Sequence, residues 1–183
     1  MAADVTEQVP GTLAITMQRP LAKFEVITND LAEFIEKQTL GMAAGNDGVK
    51  SAEENPEARI RFEDYRVVFY YVGFMPDTYS MFTDKPVDSV TGVTFQSVLR
   101  RMDDAQATLG FDYVFVNGKE SAVTVRIGIY DDEGTQLSLT EPIEIPLKRN
   151  HHTVLRGKFL MSEASGGVTI NPNFDGDHNL IFP

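Results

Sequence analysis

The chain has 183 residues, a formal net charge of −11 and no cysteine. The length favours one domain or two small ones. The lack of cysteine excludes disulfides, iron–sulfur clusters, cysteine-ligated zinc and a thiol nucleophile. The negative charge disfavours a broad nucleic-acid surface. No apolar run reaches the ~20 residues needed to span a bilayer, so direct membrane insertion is not expected.

The N-terminal part predicts a flexible lead-in over residues 1–11, followed by a β-domain over residues 12–183. The first ten residues, "MAADVTEQVP", lack the basic and apolar regions of a signal peptide. After them comes a short apolar-rich run that predicts a first strand. Its residues are Thr12, Leu13, Ala14, Ile15, Thr16 and Met17. Pro20 separates this run from a second predicted strand, "LAKFEVIT".

One helix is predicted after the second strand. Asp30 and Glu33 fit a capping box, in which the first side chain accepts a backbone N–H and the second reaches back. Phe34 lies on the apolar face, and Gly41 is a plausible helix end. Residues 41–57 are small, polar and rich in turn formers, which predicts a long exposed loop.

Most of the remaining chain alternates with a period of two, as half-buried strands do. The run "EDYRVVFYYVGF" is apolar on both faces at its end, which suits a central strand, whereas "GVTFQSVLRRM" fits either a strand or a helix. Asn117-Gly118 separates "FDYVFV" from "SAVTVRIGIY" and is a strong hairpin signal. Asp131 to Gly134 form a further turn, and Pro142 a break. The pattern predicts a mainly β, antiparallel sandwich with one short helix on a crossover.

The stretch "IPLKRNHHTVLRGKFL" is unusually basic for an acidic chain. His151 and His152 are adjacent, and adjacent side chains on a strand point to opposite faces, so a shared metal ion is not expected. Leu155 alternates with Arg156 and Lys158, which predicts an edge or half-exposed strand whose charges block unwanted pairing. Nucleophile elbows, phosphate-binding glycine loops and dinucleotide fingerprints are not found. The sequence therefore predicts neither an enzyme nor a cofactor.

Two further segments contain candidate binding residues. In "NFDGDHN", Asp175, Asp177 and Asn179 resemble the start of a calcium loop, although a tight turn explains the same pattern. The aromatic run "VVFYYVGFMPDTYSMF" fits either core or a sugar platform, and core is favoured. Beyond the strand end expected at Pro76, an exposed apolar contact surface is predicted. Its candidates are Tyr79, Met81 and Phe82.

Several segments together resemble the fimbrillin-like proteins of Bacteroidales, the subunits of type V pili. The resemblance covers roughly residues 12–182. The segments that carry it are "RPLAKFEVITND", "VVFYYVGFMPDTYSMFTDKPVDS", "LGFDYVFVNGKESAVTVRIGIYDDEG", "IPLKRNHHTVLRGKFL" and "GGVTINPNFDGDHN".

The resemblance implies transthyretin-like, Greek-key β-sandwiches exported as lipoproteins to the outer surface. It also implies strand exchange, in which a protease removes a first strand and a neighbouring subunit fills the groove. Residues 12–17 are the candidate exchange strand, and Arg19 is the processing candidate, although Pro20 disfavours cleavage there. Only a short segment precedes "RPLAKF", so an N-terminal domain would be partial or trimmed. Asp88-Ser89-Val90 resembles a Bacteroidales O-glycosylation acceptor at Ser89.

Two functions remain open at this point. The first is a non-enzymatic fimbrial subunit or adhesin, located at the cell surface, outer membrane or fimbrium. Its partners would be other fimbrial subunits or host or bacterial surface ligands, and homo-oligomers would be compatible with it. The alternative is a surface glycan- or calcium-binding β-sandwich module, which predicts an exposed aromatic platform or an ordered acidic loop.

Overall fold

A computed structural model of the chain describes residues 19–44, 60–161 and 178–181. This part is mainly β, with several sheets and one α-helix. The elements are β1 (Leu21–Thr28), α1 (Leu31–Ala44), a 3-10 turn (Phe62–Asp64), β2 (Arg66–Val72), β3 (Met75–Ser80), β4 (Lys85–Val90), β5 (Thr94–Val98), β6 (Arg100–Arg101), β7 (Ala107–Phe115), β8 (Glu120–Tyr130), β9 (Gln136–Leu139), β10 (Ile143–Lys148), β11 (His152–Gly157) and β12 (His178–Ile181).

The first sheet has the strand order β12–β11–β1–β7–β6 and is mixed. β1 pairs with β11 and β11 with β12 in parallel, whereas β1 with β7 and β7 with β6 are antiparallel. Most strand pairs in the described part are antiparallel, as predicted. The two parallel pairs are a difference from the expected antiparallel sandwich: β11, from the far end of the chain, lies between β1 and β12 and runs parallel to both.

The second sheet is antiparallel, with the order β10–β8–β2–β5. β9 also pairs with β8, at residues 128–130. The same residues of β8 pair with β2 along the opposite edge of the strand. The prediction that β2 is a central strand is confirmed, since β5 and β8 flank it. Its alternate residues Val67, Phe69 and Tyr71 are buried in the core.

The core lies between the two sheets and continues under α1. Phe24 of β1 meets Phe69 of β2 edge to face, with ring centroids 6.1 Å apart. At the helix, Phe34 makes a similar contact with Tyr65 at 5.1 Å. Such pairs add about 0.5–1.5 kcal/mol beyond their burial. α1 therefore closes one end of the core with its apolar face.

Four connections between described strands cross from one of these two sheets to the other, after β1, β5, β7 and β10. β5 of the second sheet continues through buried Leu99 into β6 of the first sheet. β10 leads through a tight turn into β11, where Asn150 adopts a positive φ of 61°. These crossings hold the two sheets together by covalent connection as well as by packing.

The helix differs from its sequence prediction at both ends. It runs to Ala44, three residues past Gly41, because Gly41 is exposed and is followed by good helix formers. Residues 45–57 of the predicted loop lie outside the described residues. At the start, Asp30 binds the backbone N–H groups of Leu160 and Met161, rather than completing a capping box with Glu33. Glu33 instead pairs with Lys158 at 2.7 Å.

The prediction of an edge or a half-exposed strand is confirmed for β11 in its second form, since β11 is half-exposed and β1 and β12 flank it. One turn prediction is corrected. Asn117-Gly118 does form a turn, with Gly118 at a φ of 82°. The turn does not close a hairpin, because β7 and β8 belong to different sheets. Within the described residues, no helix has the length and hydrophobicity needed to cross a membrane.

Candidate functional site

The hairpin of β3 and β4 forms a two-stranded sheet of its own. It carries four strongly exposed apolar side chains, which we call the hairpin surface: Phe74, Met81, Phe82 and Val87. Phe82, in the turn between the strands, is fully exposed. A lone two-stranded hairpin is marginally stable in water, so contacts with the rest of the protein must hold it in place.

Tyr79 provides one of these contacts and is only half-exposed. Its ring stacks on Phe115 of β7, with centroids 5.4 Å apart and planes inclined by 22°. Its hydroxyl donates a hydrogen bond of 2.7 Å to Asp84. Of the three predicted contact residues, Met81 and Phe82 are exposed, whereas Tyr79 anchors the hairpin to the first sheet. Pro76, where a strand end was expected, lies inside β3.

Arg149 provides the second anchor. Its guanidinium donates two hydrogen bonds of 2.7 Å to the carboxylate of Asp84, in the bidentate geometry that arginine favours. It lies 5.8 Å from the ring centroid of Tyr79 and is 14% exposed. Hydrogen bonds from Arg149 and Tyr79 lower the pKa of Asp84 to about 2. The turn that precedes β11 thus fixes the position of the hairpin.

The same arginine also holds the entry to β1. Its Nε donates a 3.0 Å hydrogen bond to the carbonyl of Arg19, the processing candidate. The next carbonyl, of Pro20, accepts from the N–H of Val116 at 3.0 Å. Arg19 is exposed, so a protease could reach it, but the carbonyl that would be attacked is already engaged. Arg149 therefore links this junction to the hairpin.

The outer face of the first sheet presents aromatic rings beside charged groups. Phe111 and Tyr113 of β7 are each 49% exposed and meet edge to face at 6.1 Å. The ammonium of Lys23 lies 4.5 Å from the ring centroid of Phe111. Glu25 is shared between Lys23 at 3.2 Å and His152 at 3.1 Å. This face therefore offers an aromatic surface, and the carboxylate of Glu25 beside it is already paired.

An open groove of about 770 Å³ begins at this face and passes between β5 and β7. Its lining combines cations, one carboxylate, phenylalanines and polar side chains. The lining residues are Lys23, Glu25, Arg66, Phe95, Gln96, Ser97, Val98, Arg100, Thr108, Gly110 and Phe111. β5 and β7 approach so closely that a Cβ on Gly110 would lie 2.9 Å from the side chain of Ser97. The lack of a side chain at Gly110 therefore lets β5 and β7 approach each other beside the groove.

The adjacent histidines make separate contacts. His152 faces Glu25 on the outer face of the first sheet, while Nδ1 of His151 lies 2.8 Å from the carbonyl of Arg149 in the turn. Across the described ranges, no group of three or more histidine, aspartate or glutamate side chains is arranged to hold a metal ion.

Several predicted candidates lie outside the described residues. They are the exchange strand, residues 12–17, and two of the calcium candidates, Asp175 and Asp177. Asn179, the third, falls in β12 opposite Val154. Ser89 is exposed on β4, and its backbone N–H bonds the side chain of Asp88 at 2.8 Å. These candidates remain predictions.

Sequence reasoning missed the groove and the outward aromatic face. A faint signal was present in "FDYVFV", where aromatic residues occupy one face and Asp112 shares the other with Val114. Asp112 points toward the core side of β7, where it accepts a 2.5 Å hydrogen bond from Tyr71. Burial and this bond raise the pKa of Tyr71. The face of β7 that carries Asp112 is therefore the inner one, whereas a polar residue in an alternating strand usually marks the outer face.

Comparison with known proteins gives a family but no function. No curated protein and no solved structure matches the chain. One family model, described as a family of unknown function (DUF6562), matches residues 1–183. Because the match spans the whole chain, the protein belongs to the DUF6562 family.

Proposed function

We propose that this protein is a non-enzymatic fimbrial subunit or adhesin of the cell surface, outer membrane or fimbrium. In this role it assembles or binds through β-strand edges, by exchange of the strand at residues 12–17. Its partners are other fimbrial subunits, including copies of itself, or ligands on host or bacterial surfaces. The resemblance of five segments to fimbrillin-like proteins supports this proposal, and it extends to a transthyretin-like, Greek-key arrangement of the sandwich.

The observation that carries the proposal is the β3–β4 hairpin. The apolar side chains of the hairpin surface are exposed, and within the described residues both of its strands have one unpaired edge. Natural proteins usually shorten, charge or cover such edges, because unpaired N–H and C=O groups recruit other chains. An anchored hairpin that keeps open edges and an apolar tip fits a protein built to contact another subunit.

The position of Arg19 supports the strand-exchange part of the proposal. The predicted exchange strand precedes the junction held by Arg149, and that arginine also binds the hairpin through Asp84. Release of residues 1–19 would remove the carbonyl of Arg19, which is one of the hydrogen-bond partners of Arg149. Removal of the strand and the anchoring of the hairpin are thereby connected through one side chain.

Truncation tests the assembly role. A chain lacking residues 1–19 should form oligomers that sedimentation velocity detects, whereas the full chain should remain smaller. In the truncated background, Met81→Ser with Phe82→Ser should reduce oligomer formation, because the hairpin surface loses its apolar tip. Leu40→Ser is the matched control, since Leu40 is 64% exposed on α1, away from the hairpin. A truncated protein that stays monomeric and equally stable would contradict strand exchange.

Glycosylation tests the proposed location independently. If the protein reaches the surface of a Bacteroidales cell, Ser89 should carry a glycan, and intact-mass spectrometry of natively produced protein should show the added mass. Ser89→Ala should remove it. An unmodified natural protein would leave no support for Ser89 as an acceptor.

A glycan- or calcium-binding module remains the second candidate. The exposed ring pair of Phe111 and Tyr113 favours the glycan form, because an exposed aromatic platform is what such a module needs. For calcium, a titration followed by the melting temperature is decisive, since an ion bound only by the native state raises it. An unchanged melting temperature would exclude the calcium form.

A further inference from the structure

We propose that the groove between β5 and β7 binds a carboxylate-bearing oligosaccharide of the uronic-acid class, with Arg66 and Arg100 as its carboxylate-binding residues. This inference rests on the adhesin or glycan-binding part of the proposed function and is independent of strand exchange. It assigns a ligand class to a site on the side of the sandwich where β5 and β7 lie together.

The size and shape of the groove suit an extended ligand. Its volume of about 770 Å³ lies within the roughly 300–1,000 Å³ that is usual for ligand sites. The groove is open rather than enclosed, and it continues onto the outer face of the first sheet at Lys23 and Phe111. An oligosaccharide can lie along such a groove with its ends in solvent.

The charges in the groove select an anion. Lys23, Arg66 and Arg100 line it together with a single carboxylate, Glu25, which already pairs with Lys23 and His152. Among the described residues, neither arginine forms an ion pair, although the chain as a whole carries a net charge of −11. Two guanidinium groups left without carboxylates in so acidic a protein point to an anionic ligand.

The geometry favours a planar carboxylate over other anionic groups. Arg66 is 5.4 Å from the ring centroid of Tyr130, and the ring orients its planar guanidinium. Guanidinium groups bind planar carboxylates through two parallel hydrogen bonds, which gives directional recognition that lysine lacks. Arginines on two strands, β2 and β6, can thus hold carboxylates on successive sugar units.

The uncharged lining residues fit a sugar. Gln96, Ser97 and Thr108 offer amide and hydroxyl groups to sugar hydroxyls, and Phe95 and Phe111 offer apolar contacts to the ring faces. Half of the Phe111 side chain remains exposed although Lys23 lies over its ring. Polar groups placed among aromatic surfaces are the usual composition of ligand sites.

An acidic peptide fits less well. A peptide that adds to β7 as a strand needs free backbone N–H groups at its edge. The N–H of Tyr113 is taken by the carboxylate of Asp112 at 2.7 Å, and β6 already pairs with Ala107 and Thr108. Both contacts disfavour peptide addition at this position.

Titration of the full-length chain with tetragalacturonate tests the inference. Isothermal calorimetry should detect binding, and the methyl-esterified tetrasaccharide, which has the same length but no charge, should bind at least tenfold more weakly. Arg66→Gln and Arg100→Gln should each weaken binding by about tenfold or more, since each loses a charge-assisted hydrogen-bond pair. Arg61→Gln is the matched control, because Arg61 is exposed, outside the groove and paired with Glu63.

Three outcomes would overturn the inference: equal binding of the methyl ester, arginine variants that bind like Arg61→Gln, or tighter binding of tetraglutamate than of tetragalacturonate. The melting temperature of each variant shows whether it is folded. Sedimentation of the same variants after truncation of residues 1–19 keeps the two proposals separate. A truncated arginine variant that still assembles but no longer binds the sugar supports the groove. A truncated chain that binds the sugar but does not assemble contradicts strand exchange and leaves the groove proposal intact.

Discussion

At the scale of single residues, Asp30 is a buried carboxylate that connects three parts of the chain. It is 1% exposed and accepts hydrogen bonds from the hydroxyl of Thr28 and the backbone N–H groups of Leu160 and Met161. A buried charge is tolerated only when such bonds replace its lost hydration. The start of α1 is thus attached to the segment after β11.

Asp30→Ala should destabilise the protein strongly. It leaves two backbone N–H groups without their acceptor, and each buried unsatisfied group costs about 1–3 kcal/mol. Urea unfolding should therefore show a loss of roughly 2–6 kcal/mol. The exposed Asp132→Ala is the control and should stay within about 0.5 kcal/mol of the parent protein. Equal stabilities of the two variants would show that the buried network is not needed.

Asp84 makes the hairpin sensitive to acid. Its pKa falls from 3.8 to about 2 in the folded protein, because Arg149 and Tyr79 donate hydrogen bonds to the ionised form. A lowered folded-state pKa means that its stabilising effect is complete above about pH 4 and is lost as the pH falls through about 2. Amide exchange of β3 and β4 should accelerate in this window.

Asp84→Asn should remove that acid-dependent step, since asparagine does not titrate. Above pH 4 its hairpin amides should exchange faster than those of the parent protein, and the two proteins should converge near pH 2. A parallel acid dependence in both proteins would assign the step to other groups. The stacked ring of Tyr79 on Phe115 should still retain part of the hairpin's protection.

At the scale of elements, two glycines should respond in opposite directions to substitution. Gly110 has a φ of 148°, and an added Cβ would lie 2.9 Å from Ser97 and 3.0 Å from Phe69. Gly110→Ala should therefore cost about 1–3 kcal/mol by overpacking. At Gly41 of α1 an added Cβ meets nothing within 4 Å, so Gly41→Ala should stabilise by about 0.5–1 kcal/mol. Thermal unfolding of both variants gives the comparison.

A destabilised Gly41→Ala protein would show that α1 is not a regular helix at this position. A Gly110→Ala protein of unchanged stability would mean that β5 and β7 can move apart without loss of stability. Because Gly110 also lines the groove, the same variant reports whether their spacing matters for the tetragalacturonate site.

Local patterns predicted most strands but not their neighbours. The alternation in "IEIPLK" and "HTVLRG" is a local property, and both segments are strands. Of the two forms predicted for β11, an edge or a half-exposed strand, the structure has the half-exposed one: its charged side chains Arg156 and His152 point out of the sheet face, while β1 and β12 complete its backbone pairing. Charged residues along a strand indicate which face of the sheet meets solvent, but they do not show whether the strand lies at the edge of the sheet.

The turn at Asn117-Gly118 shows a second limit. The dipeptide reports a local backbone that allows positive φ, which Gly118 adopts. It does not determine whether the strands on its two sides pair with each other. Here β7 pairs with β1 and β8 with β2, so core packing between distant segments decides the sheet to which each strand belongs. The groove between β5 and β7 depends on those same distant pairings, and no short motif predicts it.

At the scale of the whole molecule, the two proposed activities should respond to salt in opposite directions. The chain carries a net charge of −11, so two copies repel each other at low ionic strength. The contact proposed for them is apolar, through Met81 and Phe82, and salt does not weaken it. Salt screens the repulsion, since the Debye length falls from about 10 Å at 0.1 M to about 3 Å at 1 M. Self-association of the truncated chain should therefore strengthen as salt rises.

Binding of tetragalacturonate should weaken over the same range. Its proposed contacts are between carboxylates and the exposed guanidinium groups of Arg66 and Arg100, which salt screens. Between about 0.05 and 0.5 M sodium chloride we expect a several-fold loss of affinity by calorimetry. In the same solutions sedimentation should show larger oligomers. If both properties weakened together, the subunit contact would have to be ionic, and the hairpin surface would no longer be the contact that joins the copies.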